Sequence, residues 1–450
     1  MRELPELSSG SRQHVLAAGF VAWMFAGLEN GLFVLIHRQM MRELLGEAAS
    51  ETLITQWLAW NQSAFMLGAA AGGWIFGWLG DRWGRTRALG LSVLCYSLLT
   101  LAAWFVGEPR LMWLVRFLAM LGFGGTWPNA VSLVSEAWPG ASRPFLAGLL
   151  GTAANVGMVL IAGIGWIYPV TDAHWRWTLL VGAVPAVVGI WILWTVPESV
   201  RWLRLRELRG ASAAAAAAGG PTLSELFRRP LLRHTLLGIA LGSIPVIGTA
   251  ANGNWVVPWS DQTAASKAAR EQQQTAPAPA VAGKSEVKPN PLEASRRKAW
   301  TLMSRSGGGI IGSLLGGLAA TLAGRRLSYF LISLASLATS TVLFSQLTPD
   351  DPWFNTAAFL LGMFGVTYFG WLPLFLPELF PTRVRAAGSG IAFNSGRIAA
   401  AAVTLFVGLT MQNFAGDYAK IGFYTGMIYA AGMLIIWMAP AKPVVEEDPV

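Results

Sequence analysis

The sequence predicts an all-α integral membrane protein of twelve transmembrane helices in two pseudo-symmetric six-helix halves. Three observations predict it. The 450-residue chain is 54% hydrophobic and only 13% charged, about half the charge of an ordinary soluble domain at roughly 25%. Twelve apolar runs approach the roughly 20 residues a helix needs to cross ~30 Å of hydrocarbon. A charged, glycine-bearing turn between the second and third runs reappears about half a chain later.

The runs lie at 14–36, 57–79, 88–106, 111–133, 144–168, 174–196, 231–257, 300–323, 327–347, 353–377, 387–411 and 421–440. The run at 231–257 is the least regular; helix 7, which it forms, carries Pro245, Gly248, Gly253 and Pro258, and interrupted helices border binding sites in transporters. The first run is too long for a signal-peptide core and lacks a small-residue cleavage site, so it reads as a spanning helix. The domain organisation expected is a first half at 1–197, a linker with an interfacial helix at 198–230 and a second half at 231–450. The amphipathic start of the linker (Arg201, Trp202, Leu203, Leu205, Leu208) precedes an alanine tract and Gly219-Gly220-Pro221. Within the second half, 261–299 has no apolar periodicity and is expected to be a disordered outer loop.

Lys and Arg set the orientation. With the N-terminus cytoplasmic, 18 of the 33 basic residues fall in inner segments and 12 in outer ones, seven of these in the long loop 258–299. Long loops cross largely regardless of charge, so both termini are expected in the cytoplasm, the chain sitting in the cell membrane. The net charge of +9 lies in short turns rather than on a folded surface, which argues against nucleic acid. Cys95 is a lone thiol inside an apolar run, and the four histidines have no metal-ligand spacing, so neither a disulfide nor a metal site is expected. No catalytic triad, phosphate loop or cofactor fingerprint occurs, so neither an enzyme nor a cofactor is expected.

The turn Gly77–Leu89 reads GWLGDRWGRTRAL, and its Asp81, Arg82, Arg85 and Arg87 would be too costly in hydrocarbon. Gly77, Gly84 and Arg85 recur 240 residues on as Gly317, Gly324 and Arg325. Glu136, Pro139 and Arg143 recur as Glu378, Pro381 and Arg385, and Pro197-Glu198 corresponds to Pro440-Ala441. Matches at nearly one lag argue for duplication of a six-helix unit.

This arrangement resembles the major facilitator superfamily over essentially the whole chain. Its signature between helices 2 and 3, G-x-L-A-D-R-x-G-R-R, is met by Gly77, Leu79, Asp81, Arg82, Gly84 and Arg85, with Thr86 departing from it. Arg116-Phe117 and the run Gly122–Ala130, leading to Glu136, look most like the aromatic-acid:proton symporter branch. PESVRWL at 197–203 is similar to sugar porters, but their glutamine-rich helix 7 signature is not visible. The G-P motif of drug/proton antiporters is missing from helix 5 as well. The resemblance implies a secondary transporter working by alternating access on a small organic solute, an aromatic or other carboxylic acid moved with protons. A sugar or polyol porter, or a non-transporting sensor on the same fold, is the alternative. The monomer is the expected unit.

The charged turns read as a cytoplasmic gate of Gly77, Asp81, Arg82, Gly84, Arg85, Glu136 and Arg143, mirrored by Glu378, Arg383 and Arg385. Asp81 would accept hydrogen bonds at the N-terminus of a neighbouring helix, most plausibly helix 11. The network would act as a latch that holds the outward-open state and breaks to open inward. The competing reading is of topology determinants and helix caps.

Charges inside spans are costly and mark a pathway by default, and four remain once the loops are removed: Glu29, Arg116, Arg305 and Arg397. Glu29 stands in AGLE, where the aromatic-acid symporters carry D-G-x-D. A carboxyl in a medium of low dielectric can load and release a proton near neutral pH, which makes Glu29 the proton-coupling candidate. Arg397, in NSGR, suits bidentate capture of a carboxylate; an ion pair with Glu29 or a bond to backbone carbonyls is the competing role. Arg116 offers either binding or packing. Arg305, placed near the outer end of helix 8, reads as a snorkelling side chain. Gln62, Asn155, Asn394, Tyr368 and Trp371 complete the substrate-binding candidates, with interhelical hydrogen bonding as the alternative for each.

Overall fold

The computed structural model describes residues 7–138, 143–211, 223–260, 291–381, 384–410, 414 and 417–440. The chain forms twelve spanning segments, because a backbone in hydrocarbon must satisfy its own polar groups and a helix does so within one segment. The first half comprises α1 (Ser9–Leu45), α2 (Glu51–Trp83), α3 (Arg85–Ala102), α4 (Pro109–Ala137), α5 (Arg143–Ile167) and α6 (Trp177–Thr195, interrupted before Pro185). A surface helix, Val200–Ala211, follows. The second half comprises α7 (Leu231–Trp259), α8 (Pro291–Leu322), α9 (Arg325–Gln346), α10 (Phe354–Glu378), α11 (Arg385–Leu409) and α12 (Tyr418–Met438). Eleven are apolar enough to cross a membrane over their described residues. The twelfth, α8, has 32 residues and carries Arg296, Arg297, Lys298 and Arg305. An even number of spans puts both ends of the chain on one face, here the termini face.

Local chemistry starts several helices. Ser8 accepts the Ser11 N–H, Ser50 the Leu53 N–H, and Asp417 the N–H groups of Ala419 and Lys420, so α1, α2 and α12 begin capped. The duplicated turns are alike in backbone as well as sequence. Gly84 (φ +117°) precedes α3 and Gly324 (φ +72°) precedes α9, a region that glycine enters without strain. Where helices must touch without a hydrophobic driving force, small residues let backbones close in. A Cβ on Gly308, Gly312 or Gly316 of α8 would strike the α10 backbone at Phe359, Met363 and Thr367.

The unstructured loop expected over 261–299 is too long at its end, because α8 begins at Pro291. Tertiary contacts order that first turn: Ser295 Oγ accepts the Val170 N–H at 2.7 Å, and Lys298 Nζ donates to Gln39 Oε1 at 3.1 Å. Residues 261–290 lie outside the described residues, as do 212–222 of the expected linker. The irregularity expected of α7 takes a definite form, an α-helix to Ile247, a π-turn at Gly248–Asn252 and a short 3-10 and α continuation to Trp259.

The two halves meet along α2–α11 and α5–α8. Toward the face opposite the termini they are sealed. The Thr55 and Tyr418 hydroxyls are 3.0 Å apart, Lys298 reaches α1, and Gly408 of α11 seats against Ala59 and Trp60 of α2. Toward the termini face, α2 and α11 leave open space beside one glycine each. A Cβ placed on Gly77 of α2 or Gly390 of α11 would meet nothing within 4 Å.

Candidate functional site

Glu29 sits midway along α1 and is fully buried, with Arg116 of α4 beside it at 3% exposure. Thr100 Oγ1 donates to Glu29 Oε1 at 2.7 Å, and Arg116 Nη1 donates to the same oxygen at 3.1 Å. The guanidinium also lies over the Phe33 ring, 3.6 Å from its centroid. The second carboxylate oxygen, Oε2, is buried without a hydrogen-bond partner among the described residues, and so is the Tyr96 hydroxyl. Glu29 therefore pairs with Arg116 inside the first half rather than with Arg397 across the seam, and neither of the two roles weighed for Arg116 included this pair.

Arg397, buried in α11, donates from Nη1 to the Ala69 carbonyl of α2 at 2.8 Å and to Asn394 Oδ1 at 3.3 Å. It bridges the halves through a backbone carbonyl, one of its two competing roles. Asn394 lies against Gly73 of α2, and Asn155 of α5 against Gly309 of α8, so both stand at the seam. Gln62 Nε2 is buried without a partner among the described residues, and its side chain lines a small cavity with His37, Lys298, Asn254, Trp255 and Tyr418 beneath the sealed face.

Tyr368 and Trp371 are elsewhere. The Tyr368 hydroxyl donates to Ser333 Oγ at 2.8 Å and Trp371 Nε1 to Ser328 Oγ at 2.9 Å. Both are wholly buried in the second-half core with Tyr329, where they hold α9 to α10. Arg305 is also not where the sequence put it. Because α8 starts nine residues before the apolar run expected at 300–323, Arg305 falls midway along the helix, and its side chain runs between Gly362 of α10 and Gly253 of α7 with Nε buried rather than out to the surface.

Among the described residues, the charged clusters on the termini face pair within their own halves. Asp81 pairs with Arg85 at 2.7 Å and is 63% exposed, and Arg85 Nε stands 4.0 Å from Glu136. Among the described residues, Asp81 makes no contact with the α11 N-terminus that was expected to receive it. Arg82 lies over the Trp78 ring at 5.3 Å. In the second half Glu378 takes a two-pronged pair from Arg325, at 2.9 and 2.6 Å. The side chains of Arg143 and Arg385 and the whole of Arg383 lie outside the described residues.

Sequence reasoning missed Glu198, Ser199 and Trp202. Glu198 accepts the Thr86 N–H at 3.1 Å and so occupies the positive end of α3. Ser199 Oγ donates to Glu136, and Trp202 Nε1 donates to the Asp81 carbonyl at 2.9 Å. Their signal was PESVRWL, which carries all three.

Residues 15–264, more than half the chain, match the Major Facilitator Superfamily. The chain belongs to the Major Facilitator Superfamily. It is 26% identical over 374 residues to a protein of Cupriavidus pinatubonensis named "Probable 4-methylmuconolactone transporter", covering 82% of this chain and 78% of the relative. It is 24% identical over 387 residues to the cis,cis-muconate transport protein of Acinetobacter baylyi, covering 85% and 84%. Among solved structures it is similar to a partially occluded inward open conformation of the xylose transporter XylE from E. coli. The TM-score is 0.70 at 15% identity, covering 97% of this chain and 100% of that one. At that identity the likeness speaks for the fold. This superfamily member is a multi-pass membrane transporter of small solutes.

Proposed function

We propose that the chain is a secondary active transporter of a carboxylic acid, coupled to protons through Glu29, and lies in the cell membrane with both termini cytoplasmic. The observation that carries it is the state of Glu29: one carboxylate oxygen engaged by Thr100 and Arg116, the other buried and unpartnered among the described residues. A proton arriving at Oε2 would neutralise the carboxylate and loosen its hold on Arg116, so loading couples to a change in the packing of α1 against α4. The acid class is supported by three arginines against one carboxylate in the spans and by the muconate and muconolactone in the names of two relatives.

Arg397 then has two partners in turn, the Ala69 carbonyl in this conformation and the solute in another. The gate residues Asp81, Arg85, Glu136 and Glu378, each held within its own half here, would join the halves when the termini face closes. The sugar-porter reading draws on PESVRWL, but in this structure Glu198, Ser199 and Trp202 serve the termini-face turn, so that motif speaks for framework rather than solute.

Uptake into right-side-out vesicles of labelled cis,cis-muconate, benzoate and xylose, with and without a protonophore, tests the proposal. Protonophore-sensitive accumulation of an acid is expected. Xylose uptake without acid uptake would replace it with the sugar-porter reading, and no uptake of a wide solute panel would favour the sensor.

A further inference from the structure

Along α8, Lys298, Leu302, Arg305 and Gly309 recur at i, i+4, i+7 and i+11, which is one face of a helix. Three of the four are seated against the first half. Lys298 donates to Gln39 of α1. Leu302 joins an apolar cluster with Leu32 and Ile36 of α1 and Ile161 of α5. A Cβ on Gly309 would meet Asn155 of α5. Arg305 sits on the same stripe, between the sealed end marked by Lys298 and Leu302 and the Asn155 position. It therefore starts from the seam face at mid-depth, and its side chain runs past Gly362 of α10, where a Cβ would come within 3.0 Å of Cγ, toward Gly253 of α7.

Its surroundings leave it unanswered. Arg305 Nε is buried without a hydrogen-bond partner among the described residues. A Cβ on Gly253, directly after the α7 π-turn, would come within 3.1 Å of Nη1. The guanidinium therefore packs closely on the α7 backbone at Gly253, an approach that a side chain there would crowd. Arg116 and Arg397 contrast with it, the first bound to a carboxylate and the second to a carbonyl and an amide. An unpaired cation with forked donors in a span is costly, and a carboxylate is the group whose two oxygens match that fork.

We propose that Arg305 is the solute's primary anchor: its guanidinium, held beside Gly253 of α7, takes the carboxylate in a bidentate pair at mid-depth. The assignment rests on the carboxylic-acid reading above and specifies which cation that solute meets. Arg116 is then the partner of the proton site, and Arg397 a contact between halves that the solute reaches after the anchor is made.

The test is equilibrium binding to the purified full chain in nanodiscs, with cis,cis-muconate, benzoate and the neutral isostere benzamide as probes. Arg305→Gln should weaken carboxylate binding about ten- to a hundredfold while leaving benzamide binding within about twofold, so discrimination between acid and amide collapses. If Arg305→Gln does not fold, Arg305→Lys carries the test: the charge stays and the fork is lost, and carboxylate affinity should fall severalfold. Carboxylate affinity and discrimination unchanged in the variant that folds would overturn the assignment and leave the acid reading standing. A wild-type protein that binds xylose and neither acid would overturn both.

Discussion

Glu29 of α1 and Arg116 of α4 form an ion pair at 3.1 Å with neither side chain open to the surface, the carboxylate at 0% and the guanidinium at 3% exposure. Removing one member of such a pair leaves a buried charge without compensation, at a cost of about 3–5 kcal/mol. Arg116→Gln should therefore lower the melting temperature of the purified protein sharply. The double variant Glu29→Gln/Arg116→Gln should recover most of the loss, because no charge is then stranded. Equal destabilisation by the single and double variants in a thermal scan would show that shape, not charge, governs the site.

Proton coupling separates from solute binding in the Glu29→Gln variant. With no carboxylate to load, accumulation driven by a proton gradient should vanish, while exchange of solute across equilibrated membranes continues. Counterflow and gradient-driven uptake measured on the same proteoliposomes check this. Accumulation at the wild-type level would remove Glu29 as the coupling group.

Arg397→Ala should reduce uptake of acids more than uptake of neutral analogues. It should also release α11 from the Ala69 carbonyl of α2. Uptake kinetics with a paired acid and amide distinguish the effects: an equal loss for both solutes would leave Arg397 with a purely structural part.

Gly84 has a backbone conformation (φ +117°) that other residues hold only with strain of about 1–3 kcal/mol, and a Cβ there would strike the Glu198 carboxylate. Gly84→Ala should thus destabilise by more than Glu198→Ala, which removes an acceptor at the α3 N-terminus worth about 1 kcal/mol. Thermal unfolding of the two variants side by side gives the order, and the reverse order would refute this account of the turn.

Lys298→Ala should loosen the face opposite the termini, because the Lys298–Gln39 bond joins α8 to α1 across the seam. A cysteine introduced at Leu58, which lines the small cavity beneath that face, should react faster with a membrane-impermeant thiol reagent in this background. Unchanged labelling would place the seal in the other contacts.

Much of the fold was legible because hydrocarbon imposes a simple rule on a chain, and the twelve apolar runs obey it. The lag that matched Gly84 with Gly324 and Arg85 with Arg325 also predicted a shared geometry, seen in two positive-φ glycines and in two arginines facing Glu136 and Glu378. The start of α8 was not legible, because Ser295 and Lys298 look like loop residues until their partners on other helices are known. The same holds within the candidate site. Glu29 and Arg116 each stood out as a charge in a span, but nothing along either helix says that they meet. Arg305 was misplaced for a related reason, since nothing along α8 says that Gly362 of α10 and Gly253 of α7 close in on its side chain.

The π-turn at Gly248–Asn252 has a consequence for how α7 takes part in motion. Each residue advances a helix face by about 100°, so one extra residue in a turn puts the two parts of α7 out of phase. Leu237, Leu241 and Ile244 before it and Trp255, Val256 and Trp259 beyond it lie in the second-half core, whereas Val257 joins the cluster built largely by α1. Asn252 fixes the crossover itself, donating to Ser340 Oγ and to the Gly422 carbonyl. The outer piece nonetheless stays registered with the second half through Val256, through Trp255 against Tyr418 and through Trp259 against Phe344 and Phe354, so Val257 is a contact it must release from α1 when the halves part on that face.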